Sequence, residues 1–440
     1  MPITPASAGR RVLIIVQNLP VPFDRRVWQE ATALKAHGYE VAVICPATRG
    51  YTARYECLQG IHIHRHPLPL EAQGAWGYVL EYTSSLFWEL VLSLKVLRRH
   101  GFDAIHACNP PDNLFLLGAL YKLLGKRFLF DHHDINPELY EAKFGRRGLL
   151  YRLVRLSERL TFLTADVSIA TNESYRAIAI ERGRMPPESV FVVRSGPSLE
   201  RLQVLPPLPR LKRGRRYLVG YVGVMGAQEG LPYLLEAARR IVRDMGREDV
   251  HFMLVGGGPA LEEMRRRTLE LGLDSHVEFL GRVPDDTLLQ VLNTADVCVN
   301  CDEVNPMNDK STMNKIMEYM ALGKPIVQFE LTEGRFSARE ASLYAKPNDA
   351  RDFAEKIMTL LEDPVRRERM GRFGRNRVER QLAWQYEVPK LLAAYDALFA
   401  ARGTSVLTPS KRRCAGSAAA TPGGSLRGYG PTRPPSPPGP

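Results

Sequence analysis

Three stretches of the chain gather side chains that could do chemistry. The first carries Lys310, Lys315 and Glu318. The two oxygens of a carboxylate suit a vicinal diol. Ammonium groups beside a helix N-terminus suit a phosphate, because free N–H groups and the helix dipole already favour negative charge there. The second holds His106, His132, His133 and Asp134, at or just after apolar runs. These histidines read as hydrogen-bond donors to a polar ligand or as satisfied structural groups, and they lack the helical H-x-x-x-H spacing of a metal site. The third is Asp24-Arg25-Arg26 just before a helix, which suits a clamp for phosphate or carboxylate and, equally, surface charge at a helix start. Cys298 and Cys301 have C-x-x-C spacing, but no second ligand pair follows, so core thiols are expected rather than zinc or redox chemistry.

Periodicity supplies the elements that must position these residues. Met313, Ile316, Met317, Met320 and Ala321 form the apolar stripe of a helix that Gly323-Lys324-Pro325 stops, and residues 295–300 read as the strand before it. Residues 301–310 then form a loop outside the carboxyl end of a strand, where open α/β sheets bind ligands. Strand 12–16, helix 28–37 and strand 41–45 open the chain as a βαβ unit without the G-x-G-x-x-G of a dinucleotide site. Strands near 105, 128–130, 167–170 and 190–193 continue it. Residues 205–216 are rich in proline and basic residues and read as a linker. Beyond them the pattern of strand, glycine turn and helix restarts at 217–222 with a loop from Gly223 to Gly230, at 251–255 with Gly256-Gly257-Gly258, and at 277–280 with Gly281-Arg282-Val283. An α/β fold of nucleotide-binding type follows.

Composition bounds the function. The 440 residues are 45% hydrophobic and 25% charged, as in soluble globular proteins, and allow two domains. No run of apolar residues is long enough for a membrane span, and Arg10-Arg11 lead directly into a strand with no cleavable signal, so a cytoplasmic protein is expected. Six scattered cysteines suit reduced thiols. The formal charge of +12 suggests nucleic acid until it is located: Arg402, Lys411, Arg412, Arg413, Arg427 and Arg433 lie in an acid-free, Pro/Gly/Ser-rich tail that is expected to be disordered. The rest shows no nucleic-acid recognition motif. Two helices have a different character. One, 77–99, is aromatic, with Trp76, Tyr78, Tyr82, Phe87 and Trp88 and with Glu81 and Glu89 interrupting it. The other, 145–162, sets six apolar positions, five of them leucines, against Arg146, Arg147, Arg152, Arg155 and Arg159. Such a helix suits an anionic membrane surface or an ordinary half-buried position.

With these residues laid out, the chain resembles the retaining glycosyltransferases of the GT-B fold often called family 4, from about residue 11 to about 398. The resemblance rests on an ordered series: Phe102-Asp-Ala-Ile-His-Ala, His133-Asp134, Val192-Val-Arg-Ser-Gly196, Val219-Gly-Tyr-Val-Gly223, Leu254-Val-Gly-Gly-Gly-Pro259, Val277-Glu-Phe-Leu-Gly281, Ala295-Asp-Val and Glu318-Tyr-Met-Ala-Leu-Gly-Lys-Pro. It implies two Rossmann-like domains facing across a cleft, acceptor-side 1–204 and donor-side 217–383, joined by linker 205–216, with a helix at 384–401 crossing back to the first domain and a tail at 402–440. It also implies a nucleotide-sugar as co-substrate and no metal or other cofactor. By resemblance Glu318 receives the ribose hydroxyls, Gly223 admits the donor diphosphate with Gly257 nearby, Arg282 and Val283 lie near the base, and His133 contacts the donor sugar, with His132 as the fallback. Asp24, Arg25, Arg26, His106, His132 and Asp134 fall on the acceptor side.

The chain departs from the family in charge. A basic residue usually follows the loop glycine and a lysine precedes the next helix's glycine; here those positions are Val224 and Glu229. A second glutamate usually stands eight residues before Glu318, and here that residue is Lys310. One reading exchanges the charges across the cleft: Lys310, with Lys315, neutralises the diphosphate while Glu229 takes a sugar hydroxyl or pairs with a lysine. Another shifts the loop by one residue so that Asp309 replaces the glutamate. The expected function is transfer of a sugar, with retention, to a lipid-linked or polysaccharide acceptor in surface glycoconjugate synthesis, with peripheral contact at the cytosolic membrane face and no nucleic-acid partner. A non-catalytic binding protein of the same fold and a sugar-nucleotide epimerase are the alternatives.

Overall fold

Runs such as Val12-Leu13-Ile14-Ile15-Val16 and Val41-Ala42-Val43-Ile44-Cys45 are buried from end to end, as strands covered by helices on both faces must be. The computed structural model describes residues 9–68, 74–145 and 147–400. The tail from Arg402, Arg146, and the side chains of Trp76 and Tyr78 lie outside the described structure.

The first sheet contains β1 (Arg11–Val16), β2 (Glu40–Pro46), β3 (Tyr55–Leu58), β4 (Ile61–His66), β5 (Ala104–Cys108), β6 (Arg127–His132), β7 (Val167–Ala170) and β8 (Val190–Val192). Their order is β3-β4-β2-β1-β5-β6-β7-β8, all parallel except the edge strand β3. The second sheet contains β9 (Tyr217–Val222), β10 (Val250–Val255), β11 (Val277–Gly281), β12 (Val297–Asn300), β13 (Ile326–Phe329) and β14 (Ser342–Ala345). Its order, β11-β10-β9-β12-β13-β14, is that of a doubly wound sheet. The strand order reverses between β1 and β5 and between β9 and β12, and a ligand crevice opens at each such point.

Helices α1 (Arg25–Ala36), α2 (Gly74–Arg99), α3 (Phe115–Leu123), α4 (Asn136–Phe144), α5 (Leu149–Thr164) and α6 (Glu173–Glu181) cover the first sheet. Helices α7 (Leu231–Arg239), α8 (Leu261–Glu270), α9 (Asp285–Thr294), α10 (Pro306–Lys310), α11 (Asn314–Ala321), α12 (Thr332–Ala338), α13 (Ala350–Glu362) and α14 (Pro364–Arg377) follow in the second half. The last helix, α15 (Val388–Ala400), returns to the first sheet. Its Leu391, Ala394, Tyr395 and Leu398 are buried in the same core as Val12 and Ile14, and the Tyr395 hydroxyl lies 2.8 Å from His106 Nδ1.

The elements differ from the sequence reading where a local cap or turn decides. The loop expected over 301–310 contains α10, because Asn305 accepts from the N–H groups of Met307 and Asn308 and Pro306 fits the first helical position. The arginine-rich helix begins at Leu149 rather than 145, since Gly145 has φ of 60° and closes α4. The linker lies against α9: the Leu205 N–H donates to Asn293 Oδ1 at 2.9 Å, and Lys212 pairs with Asp296 at 2.7 Å. Among the described residues no helix is long and apolar enough to cross a membrane.

The first half also buries acids. Burial pushes Asp112 up to about 6 and Glu158 up to about 7, the latter partly offset by Arg182, and drives Glu89 well up beside Gln17. These carboxyls keep their proton in the fold and lose it near pH 4 when unfolded. The stability they lend is therefore complete below pH 4 and is lost as pH rises through 6 to 7. The buried neutral histidines His106 and His132 act the other way below pH 6.5, so the carboxyl contribution is read from a variant rather than from the overall pH dependence. Glu158→Gln should raise the thermal midpoint at pH 8 relative to that at pH 5 when compared with the unsubstituted protein, since a carboxyl displaced this far accounts for roughly 3 kcal/mol.

Candidate active site

In the second half, the loops after β9, β10 and β12 meet backbone to backbone at the switch point, and glycines permit it. A Cβ on Gly256 (φ +136°) would fall 1.8 Å from the Gly223 carbonyl oxygen, and one on Gly230 (φ +62°) would fall 1.9 Å from that of Cys301. On Gly223 itself a Cβ would meet the Tyr221 hydroxyl at 2.6 Å and Lys315 Nζ at 3.4 Å. The bare glycine thus leaves a path for a ligand to reach an ammonium group. Lys315, one residue into α11, is almost enclosed. Its Nζ is 2.9 Å from Glu229 Oε2 and 2.8 Å from Asp302 Oδ1, and stands over the Tyr221 ring at 5.0 Å. Burial works against the Lys315 charge, yet Asp302 and Glu229 raise its pKa well above the ordinary lysine value.

Glu229 therefore does pair with a lysine, but with Lys315 and not Lys310. Lys310 ends α10 with its side chain 40% exposed and its Nζ turned to Glu138 of α4 at 3.9 Å. Its carbonyl accepts from Asn172 Nδ2. Asp309 cannot replace the absent glutamate, because its two oxygens cap α12 through the Thr332 N–H at 2.8 Å and hydroxyl at 3.0 Å. Val224 is exposed. Lys315→Met, which strands two carboxylates, should lower stability by about 3–5 kcal/mol, whereas Lys310→Ala should stay within about 0.5 kcal/mol in denaturant titrations of both variants. Equal midpoints for the two would contradict this arrangement.

One turn further along α11, Glu318 faces the cleft with its side chain 16% exposed. Its Oε1 accepts from Arg201 Nη1 at 3.0 Å and from Arg25 Nη1 at 3.1 Å. Both guanidinium groups also bind Asp285, at the start of α9. Arg25 belongs to the first half, so Glu318 is tied across the cleft. Arg282 is exposed beside Gly257, where a Cβ would lie 3.3 Å from Arg282 Cγ, and Val283 packs against the apolar core.

The facing loops of the first half contain a buried charge cluster. Asp131, at the end of β6, accepts from Arg26 Nε at 3.1 Å and Nη2 at 2.8 Å, is hydrogen-bonded to His133 Nε2, and lies 3.4 Å from His106 Nε2. Glu30 lies 3.1 Å from Arg26 Nη2. Burial alone would raise the Asp131 carboxyl, but Arg26 and His133 hold it well below the usual carboxylate range. His133 keeps 13% of its side chain exposed, and its N–H donates to Asn109 Oδ1.

The structure corrects three expected ligand contacts here. Arg26 is not a clamp, since its charge is consumed by Asp131 and Glu30. His106 is buried against Tyr395, Glu30 and Asp131, and burial lowers its pKa. His132 is fully buried among Phe130, Phe162 and Tyr175, where burial drives it down to about 3, so it is a neutral core group. Asp24 caps α1 by accepting from the Val27 N–H at 3.1 Å, and Asp134 is partly exposed beside His133. Glu30, Asp131 and His133 have ligand atoms within 4.8 Å of one another, but the Arg26 guanidinium already sits between the two acids, and its fixed charge disfavours a cation there.

Sequence reasoning missed Asp131, Arg201, Asp285 and Asp302. Asp131 carried a signal, as the first charged residue after the apolar run Phe128-Leu129-Phe130. Arg201 and Asp285 gain meaning only from each other, 84 residues apart, and from still more distant partners, and Asp302 from Lys315, 13 residues away.

The two halves match two family descriptions. Residues 24–196 match the glycosyl transferase 4-like domain, and residues 216–363 match the glycosyl transferases group 1. A phosphatidyl-myo-inositol mannosyltransferase of Mycobacterium leprae is 26% identical over 399 residues, covering 89% of this chain and 97% of that protein. A 2-deoxystreptamine glucosyltransferase of Streptomyces kanamyceticus is 24% identical over 69% of this chain and 80% of its own. Among solved structures, a sucrose-phosphate synthase from Thermosynechococcus elongatus superposes with a TM-score of 0.71 at 21% identity, covering 89% of this chain and all of that one. Anabaena HepE in complex with UDP superposes at 0.66 with 16% identity, covering 88% of this chain and 100% of its own. Two doubly wound sheets, a returning last helix and both domain matches agree: the chain belongs to the group 1, family 4 glycosyltransferases and has the GT-B fold.

Proposed function

We propose that this glycosyltransferase moves a hexosyl group from a nucleoside-diphosphate-sugar to a lipid-linked or polysaccharide acceptor, with retention of configuration and without a metal. The observation that supports this reading is the pair Arg25-Arg26. Arg25 reaches the candidate ribose carboxylate, Glu318, in the second half, while Arg26 fixes Asp131 and through it His133 in the first. One dipeptide thus links the two groups assigned to the donor, one on each side of the cleft. The donor diphosphate would enter past Gly223 to the N-terminal turn of α11, with Arg282 at the base end, while Lys315, already paired with Glu229 and Asp302, would hold that turn in place. His133 would bind the reacting sugar, and the leaving phosphate would take the acceptor proton on the same face. Catalysis then rests on positioning and on stabilising the charge of the leaving diphosphate. The lipid acceptor and a peripheral hold on an anionic membrane are supported by α5, whose Leu149, Leu153 and Leu156 are exposed beside Arg152, Arg155 and Arg159.

The test is release of nucleoside diphosphate from a panel of nucleotide-sugars, with and without a membrane lipid extract, with chelator, and with Glu318→Ala. Release that depends on extract and on Glu318 but survives chelator supports the reading, and the anomeric configuration of the product decides retention. A protein that binds nucleotide-sugars but turns none over would be a non-catalytic member of the fold.

A further inference from the structure

Between α4, α5 and residues 82–83 of α2 lies a cavity of about 370 Å³. Its wall is apolar, built from Leu139, Tyr140, Phe144, Leu150, Leu153 and Val154. Its inner end is polar and connected to the candidate active site. Asn136 Nδ2 and Asn109 Nδ2 donate to the two oxygens of Asp112 at 2.7 and 2.9 Å, and Asn136 and Asp112 line the cavity. Asn109 Oδ1 in turn accepts from the N–H groups of His133 at 2.6 Å and Asp134 at 3.1 Å. One asparagine therefore separates the inner end of the cavity from the backbone of His133.

The surface beside the cavity is equally distinctive. Leu149, Leu153 and Leu156 of α5 are 73%, 48% and 50% exposed, at the i, i+4, i+7 spacing of one helix face. Arg152, Arg155 and Arg159 are exposed beside them and have no acidic ion-pair partner among the described residues. An apolar wall offers a sugar or a nucleotide few hydrogen bonds, whereas a hydrocarbon chain loses nothing by entering it. Unpaired arginines on the other side of that leucine row complement an anionic membrane surface.

We propose that this cavity holds the hydrocarbon chain of an anionic lipid acceptor taken from a membrane surface on which α5 lies, with the lipid's head directed along Asp112 and Asn109 toward His133. The proposal rests on the lipid-acceptor reading above and gives it a site. Two features make it specific. The chain enters past Leu153, which lines the cavity and also belongs to the exposed leucine row, and the inner end of the cavity lies at Asp112, in the loop after β5, and Asn136, at the start of α4 after β6.

Dodecyl phosphate and butyl phosphate, titrated into the full chain below the micelle threshold and followed by calorimetry, test it. Each buried methylene adds about fourfold in affinity, so dodecyl phosphate should bind at least roughly 100-fold more tightly than butyl phosphate. Val154→Trp, which fills the cavity, should weaken dodecyl phosphate by roughly 10-fold or more, and Leu153→Gln by a few fold. Both variants should keep the wild-type thermal midpoint and the wild-type affinity for nucleoside diphosphates, which belongs to the other half. Equal affinity for the two chain lengths, full affinity in Val154→Trp, or no binding to the full chain because one of its own segments fills the cavity, each overturns the proposal. Dodecyl phosphate binding without nucleotide-sugar turnover would instead keep the cavity and remove the proposed activity.

Discussion

Glu318→Ala is expected to reduce kcat/KM for the nucleotide-sugar by about 10²–10³-fold, mainly through KM. Hydrogen bonds to an ionised carboxylate contribute roughly 1.5–3 kcal/mol each, and a ribose diol would make two of them. The unliganded site adds a second, opposite expectation. Glu318 is already engaged by Arg201 and Arg25 at 3.0 and 3.1 Å, so an incoming diol must share it or displace a guanidinium. Arg25 is the more dispensable of the two, being 52% exposed against 21% for Arg201. Arg25→Ala should leave the donor KM unchanged or lower it, while removing one tie between the two halves. Steady-state kinetics on both variants decide the matter. An unchanged donor KM in Glu318→Ala, or a loss in Arg25→Ala as large as in Glu318→Ala, would mean that the carboxylate is a structural anchor for the arginines and not a ligand for the donor.

The contrast between Arg25 and Arg26 shows what was legible in the sequence. The alternation of apolar strand, glycine turn and amphipathic helix is local, and it identified two α/β halves; that the last helix returns to the first half was implied only by the resemblance. The β3–β4 hairpin was not legible. Ile61-His-Ile-His-Arg-His66 alternates like a half-exposed strand, yet His64 and His66 are buried, and the two-residue turn is Gln59-Gly60, both with positive φ. Charged side chains were the least legible part, because their partners are remote. Neighbours on a helix point about 100° apart, so Arg25 and Arg26 go to different domains. Lys315 could be placed on the cleft face of its helix, but its burial follows from Glu229 and Asp302 on other loops. The resemblance named Glu318, Gly223 and His133; it did not supply the ions that hold them.

Asp131 and His133 should separate chemistry from stability. His133→Ala removes one hydrogen bond from a partly exposed ring, so the fold should lose only about 1 kcal/mol, while transfer should fall by about 10²–10⁴-fold if the ring orients or polarises the reacting sugar. Asp131→Asn should cost activity to a similar extent for a different reason. The carboxylate accepts from His133 Nε2 and so fixes which ring nitrogen carries the proton; an amide can donate there and reverse the tautomer. It should also cost stability, because the Arg26 guanidinium stays charged in a site where its other ion partner is Glu30, whose carboxyl burial holds well above its usual pKa. Removing one partner of a buried pair costs about 3–5 kcal/mol, and ionisation of Glu30 in response would return part of that. Thermal or denaturant unfolding should therefore rank Asp131→Asn well below His133→Ala, with both nearly inactive. Glu30→Gln should remain active, since Asp131 still holds both Arg26 and His133. A fully active His133→Ala enzyme would assign the cluster to structure alone. An Asp131→Asn enzyme with wild-type stability would show that Glu30 already carries the Arg26 pair.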